Sequence, residues 1–440
     1  NKLCSSNLLH LMKKQKQINF LFAEDYLGSY PSLINALATI DQNKIKSNFI
    51  GFFFKSNFPD YPKFINVNYR LISRFDKIGR IYEIKEQNNS LLVTHIEKII
   101  NKLKINLYFT IKYNLLNLRK SFSKFKEILW SLCLIRRYDS VIKDSPLICI
   151  DSITLISAYI YKTVLSKRFE IIFWSLEISS YRKIDLLDRF LHKIEFHALK
   201  NVISIISQSK ERLDLITNFK KIGTDTVDCF NIPHSRLKNN KIERLNYFNK
   251  TFRISKETTI LLHLGWIHDV MDSYNLAKSS LDWNVNTELV FHERAKRDND
   301  DPYISRIIEL RSKKLHLSLN PVPYNQLDEL IQSCDIGLVI YNPSEYGCSW
   351  QNIAKASGKL ADYIAFGKPV ICSNLNDLRE LIRKYEFGFA FDELSEIPSL
   401  VSKINENYKF YSSNALKCFS KEFEFSKFFN PFLHKISRGN

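Results

Sequence analysis

Glycine is scarce in this chain, which has only 11 glycines in 440 residues. Because glycine lacks a side chain, it is placed mainly where the backbone needs an unusual conformation or a close approach. Four of the glycines fall within residues 333–374, at Gly337, Gly347, Gly358 and Gly367. We therefore interpret this stretch as the part of the chain around which the rest is organised.

Long apolar runs are missing as well. No stretch has the ~18 consecutive apolar residues of a membrane-spanning helix, and the chain does not open with the basic and apolar regions of a signal peptide. We expect a soluble cytoplasmic protein, or one that lies peripherally on the inner face of the membrane. Since the first residue is Asn1, we expect the natural start of the protein to lie upstream.

Patterns for metal sites are also lacking. The eight cysteines form no C-x-x-C pair and no cluster with histidine at zinc spacing, which fits small buried side chains in a reducing compartment. Asp298, Asn299 and Asp300 have the D-x-D form of some metal sites. They lie in a charged run between an expected strand and an expected helix, and we interpret them as a solvated loop. The sequence predicts no metal and no cofactor.

An acidic excess is absent too, because the net charge is +18. The basic excess is confined to residues 1–240, which hold 38 Lys and Arg against 21 Asp and Glu, whereas residues 241–440 hold 26 against 25. A basic face favours a polyanion, such as anionic lipid, nucleic acid or an acidic glycan. An AT-rich genome would also raise the lysine content without any function, and both explanations stay open.

Residues 114–137 form the clearest amphipathic segment of this basic half. Apolar residues at spacings of three and four predict a helix with one apolar stripe. One interpretation is a helix that lies on an anionic membrane, and the other is an ordinary helix that covers the first sheet. The stripe consists of Leu115, Leu118, Phe122, Phe125, Leu129 and Leu132, and the basic residues beside it are Arg119, Lys120, Lys124 and Lys126.

Strand-like and helix-like stretches alternate along the chain, as in doubly wound parallel sheets. We predict an α/β protein with two Rossmann-like domains that face each other across a cleft. The domains are residues 1–235 and 257–425, with a linker at 236–256 and a tail at 426–440. The expected strands are 18–23, 49–54, 65–72, 146–151, 169–174 and 201–207, then 258–265, 288–291, 315–319, 335–341, 370–372 and 389–391.

The glycine-rich stretch predicts a strand, a loop, a helix and a second strand. Ser357 is expected to cap a helix over residues 358–366. Gly367 is expected to end that helix in a left-handed conformation, and Pro369 bars its continuation. A buried βαβ unit with a tight glycine turn would account for this pattern by itself.

The start of this helix has a second interpretation, as an anion site. Free N–H groups and the helix dipole favour a phosphate there. Gly358 would permit a close approach, and Lys359 would add a cation. Asp362, about one turn further on, would accept hydrogen bonds from ribose hydroxyls.

Three pieces of this stretch resemble the donor-site signature of GT-B glycosyltransferases, and in particular the nucleotide-sugar-dependent group called glycosyl transferases group 1, or family 4. Asp362 stands where this family has its ribose-binding Glu. The family's other acidic residue, eight positions earlier, falls on Ala354 and is absent. The three pieces are Ser357-Gly358-Lys359-Leu360, Asp362-Tyr363 and Gly367-Lys368-Pro369-Val370-Ile371.

The resemblance implies a donor site in the second domain. Gly265 matches the glycine that lets a loop approach the sugar diphosphate, but the family's Arg and Lys beyond it are replaced by residues 266–269. Their charge is expected from Arg294, Lys355 or Lys359. The implied donor-binding residues are Gly265, His292, Arg294, Tyr324, Ser357, Gly358, Lys359 and Asp362, with Tyr324 beside the nucleobase.

Asp151 and Glu177 each follow an expected strand, and the carboxyl ends of parallel strands line the crevice of such domains. They resemble two crevice positions of the family. The resemblance implies that they are catalytic residues facing the acceptor, as a base or as a group that orients a hydroxyl. Capping of the helices that follow is the alternative. The resemblance also implies that the C-terminal helix crosses back to the first domain.

We therefore predict a glycosyltransferase that moves a sugar from a nucleotide diphosphate sugar to an acceptor hydroxyl. Retention of configuration is implied by the family. The expected partners are a nucleotide-sugar donor, a glycan or lipid-linked acceptor of cell-surface glycan synthesis, and an anionic membrane surface. Two alternatives are a sugar-nucleotide epimerase of the same fold and a non-enzymatic polyanion-binding protein. No nucleic-acid partner is expected, because no helix-turn-helix, zinc or RNP signature is present.

Overall fold

The computed structural model shows two parallel β-sheets, each built from one half of the chain and covered by helices. The structure describes residues 17–23, 30–53, 63–73, 115–143, 145–178, 186–220, 227–237, 242–283, 286–323, 326–342 and 348–438.

The first sheet has seven parallel strands in the order β3-β2-β1-β4-β5-β6-β7. The strands are β1 (Ile18–Phe22), β2 (Ser47–Phe53), β3 (Val67–Ser73), β4 (Leu147–Ile150), β5 (Ile171–Trp174), β6 (Ser204–Ser207) and β7 (Asp228–Asn231). The helices described in this half are α1 (Pro31–Gln42), α2 (Leu115–Arg137), α3 (Asp139–Ile142), α4 (Asp151–Val164), α5 (Leu186–Leu199) and α6 (Lys210–Lys220).

The second sheet has six parallel strands in the order β10-β9-β8-β11-β12-β13. The strands are β8 (Thr259–Leu264), β9 (Thr287–His292), β10 (Leu315–Ser318), β11 (Ile336–Val339), β12 (Val370–Ser373) and β13 (Gly388–Phe391). The helices described in this half are α7 (Tyr247–Phe252), α8 (Ser273–Ser279), α9 (Pro302–Ile308), α10 (Leu327–Gln332), α11 (Cys348–Gln351), α12 (Gly358–Ala365), α13 (Asn376–Tyr385), α14 (Ile397–Glu406), α15 (Tyr408–Cys418) and α16 (Phe425–Arg438).

The predicted α/β class with two parallel sheets is confirmed. Central strands such as β4 and β12 are buried throughout, because helices cover both faces of a parallel sheet and leave no polar side. Short apolar runs between polar loops were therefore a sufficient signal for these strands.

The two domains are joined where the chain passes between them twice. In the first passage the backbone N–H of His234 donates to the carbonyl of Lys355 at 2.7 Å. In the second passage the N–H of Phe425 donates to the carbonyl of Arg236 at 3.3 Å. Beyond it, Phe429 and Phe432 of α16 are fully buried in the core of the first domain, and α16 packs against α1.

The linker predicted at residues 236–256 is not only a connector. Phe248 of α7 is fully buried and Ile254 nearly so, and both belong to the core of the second domain. Two apolar residues within a polar segment gave too weak a pattern to reveal this packing.

The buried side chains of α2 coincide only in part with the predicted apolar stripe. Phe125 of the stripe is 40% exposed and Leu132 packs against two core clusters, whereas Ile128, Leu134 and Ile135 are buried. The helix is oriented by its contact with α4, where the Ser157 hydroxyl donates to the carbonyl of Ile128. A neighbouring element thus sets the buried face, which periodicity alone did not identify.

Candidate functional site

Both sheets reverse their strand order at one point, between β1 and β4 in the first and between β8 and β11 in the second. Ligands of open α/β sheets bind at such switch points, beyond the carboxyl ends of the strands. Asp151 follows β4, and Gly265 follows β8. The fold therefore brings one predicted acceptor residue and one predicted donor residue to the two switch points.

The start of α12 is built as expected. The Ser357 hydroxyl accepts a hydrogen bond from the N–H of Leu360 at 3.3 Å, and it also bonds the Tyr341 hydroxyl at 2.7 Å. Gly367 ends the helix with φ +64°, which confirms its predicted left-handed conformation. The capped start therefore lies beside the C-terminal end of β11.

Gly358 faces the first domain. A Cβ atom at this position would lie 3.0 Å from Nε2 of His234. A larger residue would have to displace the imidazole, so glycine at 358 serves the packing of the two domains. Enclosure by protein lowers the pKa of His234 to about 4 and keeps its ring neutral.

Lys359 lies at the same helix start, with its ammonium group enclosed by protein. Its Nζ is 3.2 Å from the carbonyl of Ile340 and 4.4 Å from the ring centroid of Tyr341. Burial, and then the charge of Arg294, lower the pKa of Lys359 to about 7. An anion beside Lys359 and Arg294 would offset both the desolvation of the Lys359 ammonium group and its repulsion by Arg294.

Arg294 and Trp266 line the end of the second sheet next to Gly265. The Arg294 guanidinium lies 5.6 Å from the Trp266 ring centroid, and Trp266 stacks on His268 at 4.4 Å. Gly265 has φ +111°, and the space that its Cβ would occupy is open. The residues that replace the family's basic pair thus form an aromatic support for Arg294.

His292 and Glu293 brace this end of the sheet. His292 is 2% exposed and its Nδ1 bonds the Ser318 hydroxyl at 2.8 Å, while burial lowers the pKa of the imidazole to about 4. The fully buried Glu293 accepts hydrogen bonds from the N–H groups of Ile267 and Arg294, at 2.9 and 2.8 Å. Glu293 was not predicted as a site residue, because its role depends on a loop 26 residues away.

Asp362 points away from Lys359 and towards the junction of the domains. The carboxylate is 3.5 Å from Nη1 of Arg236, which also pairs with Asp328 and lies over the ring of Phe366 at 4.8 Å. Burial raises the pKa of Asp362 to about 6, against the opposing charge of Arg236. Its predicted role in ribose binding stays a prediction.

On the first domain, Asp151 has φ +61°, a left-handed conformation that costs an ordinary residue of order 1–3 kcal/mol. Its Oδ1 accepts hydrogen bonds from the N–H groups of Leu176 and Glu177, at 2.7 and 3.0 Å. The helix cap considered for Asp151 is not observed, because the cap residue of α4 is Ile150 and no side-chain cap bond is present there. Asp151 instead holds the turn that follows β5.

Glu177 lies on that turn and is exposed to solvent. Groups of both domains nevertheless lie near its carboxyl. This environment raises the pKa of its carboxyl, while the charges of Arg212 and Arg294 lower it. Arg212 belongs to the first domain and Arg294 to the second, so Glu177 lies where the two sheet ends face each other. Arg212, which is 2% exposed, was not predicted as a site residue.

Asp377 is a further residue that sequence reasoning missed. It lies in the first turn of α13, and its Oδ2 accepts a hydrogen bond from the N–H of Ala354 at 2.6 Å. Burial raises the pKa of its carboxyl to about 7, and the charge of Arg212 opposes that rise. A carboxylate thus lies beside the position at which the family's acidic residue is absent.

The remaining predictions concern charge and metal. The ammonium group of Lys355 forms an ion pair with Glu422 at 2.7 Å. Its charge is therefore directed towards Glu422 and not towards Arg294. Tyr324 lies outside the described residues. Within the described ranges, no group of His, Cys, Asp and Glu has the arrangement of a metal site, and no helix is long and apolar enough to cross a membrane.

Comparisons with known proteins agree with this geometry. Residues 311–436 match the family described as glucosyltransferase 3-like, C-terminal domain. By sequence, the chain matches none of the curated proteins. The matched segment contains the capped start of α12, Lys359, Asp362 and Asp377.

Solved structures resemble the whole chain. HepE of Anabaena, in complex with UDP and glucose, has a TM-score of 0.62 and 9% identity over 96% of this chain and 100% of its own. A trehalose-phosphate synthase of Burkholderia xenovorans, in complex with glucose-6-phosphate, has a TM-score of 0.62 and 8% identity over 96% and 99%. A sucrose-phosphate synthase of Thermosynechococcus elongatus has a TM-score of 0.59 and 10% identity over 95% and 98%.

At such low sequence identities, the solved structures show similarity of the fold alone. The family match, by contrast, is a sequence match within the second half of the chain. The assignment to family 4 in particular stays a prediction. The resemblance to GT-B glycosyltransferases is confirmed: the chain has the GT-B fold, and its residues 311–436 match the C-terminal domain of glucosyltransferase 3-like proteins.

Proposed function

We propose that this protein is a glycosyltransferase that moves a sugar from a UDP-sugar to an acceptor hydroxyl. The observation that carries the proposal is the capped start of α12 with Lys359 enclosed beside it, within the segment that matches the glucosyltransferase 3-like domain. HepE, of the same fold, is solved with UDP and glucose, which supports UDP as the nucleotide.

In this proposal the second domain holds the diphosphate. Arg294 and Lys359 supply positive charge, and the N–H groups at the start of α12 add the helix dipole. Charge that develops on the departing diphosphate would be stabilised by groups already in place, which is the main way such sites accelerate transfer. As predicted from the sequence, we propose a reaction that uses no metal and no cofactor.

The first domain would present the acceptor. Glu177 is the carboxylate that faces the second domain, and it would accept a hydrogen bond from the attacking hydroxyl. Retention of configuration is part of the proposal on the strength of the family resemblance. The reported similarities give no support to the epimerase of the same fold.

Nucleotide binding tests the proposal most directly. UDP and a panel of UDP-sugars should raise the melting temperature of the wild-type protein, because a ligand at about 100 times its Kd stabilises the fold by about 2.7 kcal/mol. The variant Lys359→Met should lose most of this shift. Lys313→Met, which removes an exposed lysine of the same domain, is the matched control. A folded wild-type protein that no nucleotide stabilises would contradict the proposal.

We also propose reversible binding to membranes rich in anionic lipid, where a lipid-linked acceptor of cell-surface glycan synthesis would be found. The support is the basic first half and α2, on which Lys124 and Phe125 are exposed. Replacing Arg119, Lys120, Lys124 and Lys126 by glutamine should weaken liposome binding by at most about 1 kcal/mol per charge and should spare nucleotide binding. Equal pelleting with neutral and anionic liposomes would contradict this part.

A further inference from the structure

The turn that carries Glu177 is held by side chains from two neighbouring elements of the first domain. The Oδ1 of Asp151, at the start of α4, accepts the N–H groups of Leu176 and Glu177. From the C-terminal end of β6, Gln208 Nε2 donates to the carbonyls of Ser175 and Leu176, at 2.9 and 2.7 Å. Two N–H groups and two carbonyls of this turn are therefore bonded to side chains.

Arg212 of α6 completes this arrangement. Its Nε donates to Oε1 of Gln208 at 2.8 Å, and its Nη2 lies 3.4 Å from the carbonyl of Leu176. The residue is 2% exposed. A buried guanidinium keeps its charge and is costly unless it is bonded and faces carboxylates. Arg212 meets both conditions, since it is bonded to Gln208 and the negative charges of Glu177, Asp377 and Asp151 act on it.

A fixed turn with a buried cation behind it has a chemical consequence for an exposed carboxylate. Holding a reacting group in one geometry reduces the entropy lost in the transition state. A nearby cation also favours the ionised carboxylate, the form that accepts a hydrogen bond from a hydroxyl. Both effects act on Glu177 through Gln208 and Arg212, each of which is 2% exposed.

We infer that Arg212 and Gln208 are positioning residues for Glu177, which fix its turn and place a positive charge behind it, and that Asp151 acts through the same turn rather than on the acceptor. The inference rests on the proposed function for the identity of the reaction. It assigns to Asp151 a different role from the catalytic one predicted from the sequence.

Several charged groups face Glu177 and must enter any account of its titration. Arg212 approaches from α6 and Arg294 from the end of β9, and both lower the pKa of Glu177. At the end of β11, the pKa of Tyr341 is raised by burial and also by the charge of Glu177. Asp151 bonds the backbone of the turn from α4. Because Arg294 remains when Arg212 is removed, the loss of Arg212 should raise the pKa of Glu177 only in part.

The test compares Arg212→Met, which removes the charge, with Arg212→Lys, which keeps it. Lys210→Met, an exposed change in the same helix, is the control. One measurement is the pH dependence of UDP release from UDP-glucose, with p-nitrophenyl glycosides or water as acceptor. The other is hydrogen exchange of the backbone over residues 171–178, which needs no substrate.

For Arg212→Met we expect the acid limb of the rate profile to move to higher pH by about one unit, because the ionised carboxylate loses a cation. Exchange over residues 171–178 should become faster. Arg212→Lys should leave the limb near its wild-type position while exchange rises less, and the control should change neither. If Arg212→Met does not fold, Gln208→Leu replaces it, with faster exchange and a smaller shift of the limb expected.

An unmoved limb together with unchanged exchange would overturn the inference. A rate that falls equally at every pH, with unchanged exchange, would overturn it as well, since that result indicates a general structural role. If the wild-type protein releases no UDP from any UDP-sugar, the proposed function fails. The exchange measurement then still decides whether Arg212 and Gln208 fix the turn.

Discussion

Lys359 and Asp362 lie one turn apart on α12, and the sequence assigned both to the donor, but the structure gives them different surroundings. Burial moves the pKa of each towards neutrality, to about 7 for Lys359 and to about 6 for Asp362. Asp362 is paired with the cation of Arg236. Lys359 is bonded to a neutral carbonyl and is repelled by Arg294. A buried charge whose counter-ion is built into the fold serves the fold, whereas one that lacks a built-in counter-ion is suited to a ligand of opposite charge.

The largest effect should come from breaking the built-in pair. Arg236→Met leaves the buried Asp362 without its cation and should lower the free energy of unfolding by about 3 kcal/mol, the cost usual for removing one partner of a buried pair. Chemical denaturation measures this change. Arg253→Met, at an exposed position of the same region, is the control. Equal stability of the two variants would show that the pair does not hold the junction.

Removal of Lys359, which forms no ion pair with a carboxylate of the described residues, should act on binding instead. Lys359→Met should weaken UDP binding by about ten-fold or more, as expected for the loss of a charge-assisted hydrogen bond. Its folding free energy should be unchanged or higher, because a desolvated charge is removed. Calorimetric titration with UDP measures the affinity. If Lys359→Met binds UDP with wild-type affinity, the distinction drawn between Lys359 and Asp362 is wrong.

The pH dependence of binding should show the same distinction. In the proposed function protonated Lys359 would bind the diphosphate, and its pKa of about 7 lies below the ordinary value of 10.5. UDP affinity should therefore fall as the pH rises from 6 to 8, and binding at pH 7.5 should take up protons. Lys359→Met should flatten this dependence. The pKa of the Asp377 carboxyl is also about 7, so its titration falls in the same pH range. Asp377→Asn is the control that removes the contribution of Asp377 to the pH dependence.

The smallest effect concerns the ribose. Asp362→Asn should change UDP affinity by less than about three-fold, since the carboxylate faces Arg236. UDP and its 2′,3′-dideoxy analogue should bind the variant in the same ratio as they bind the wild-type protein. If the variant no longer distinguishes the two nucleotides, Asp362 binds the ribose as the family resemblance implied.

The predictions that succeeded depended on neighbours in the sequence. Ser357 caps α12 and Gly367 ends it because caps are formed within one turn of the helix. The same local logic identified the strands, since buried parallel strands are continuous apolar runs.

The parts of the site that could not be predicted depend on partners far along the chain. The partner of Asp362 is 126 residues away at Arg236, and the carboxylate of Asp377 bonds the backbone of Ala354. The charge of Arg212, on α6, acts on Glu177, on the turn that follows β5. No local spacing encodes which residue a fold brings opposite another, so the sequence located the edge of each sheet but not the pairs that form there.

The two passages of the chain between the domains meet at Arg236, whose carbonyl accepts the N–H of Phe425. Two connections bonded at one place should act mechanically as a single pivot, so we expect any movement of the domains to be a rotation about it. Gly358, packed against His234 next to this pivot, should be displaced little by such a rotation. In such a rotation the displacement of an atom grows with its distance from Arg236. Groups far from Arg236 across the cleft should therefore move most.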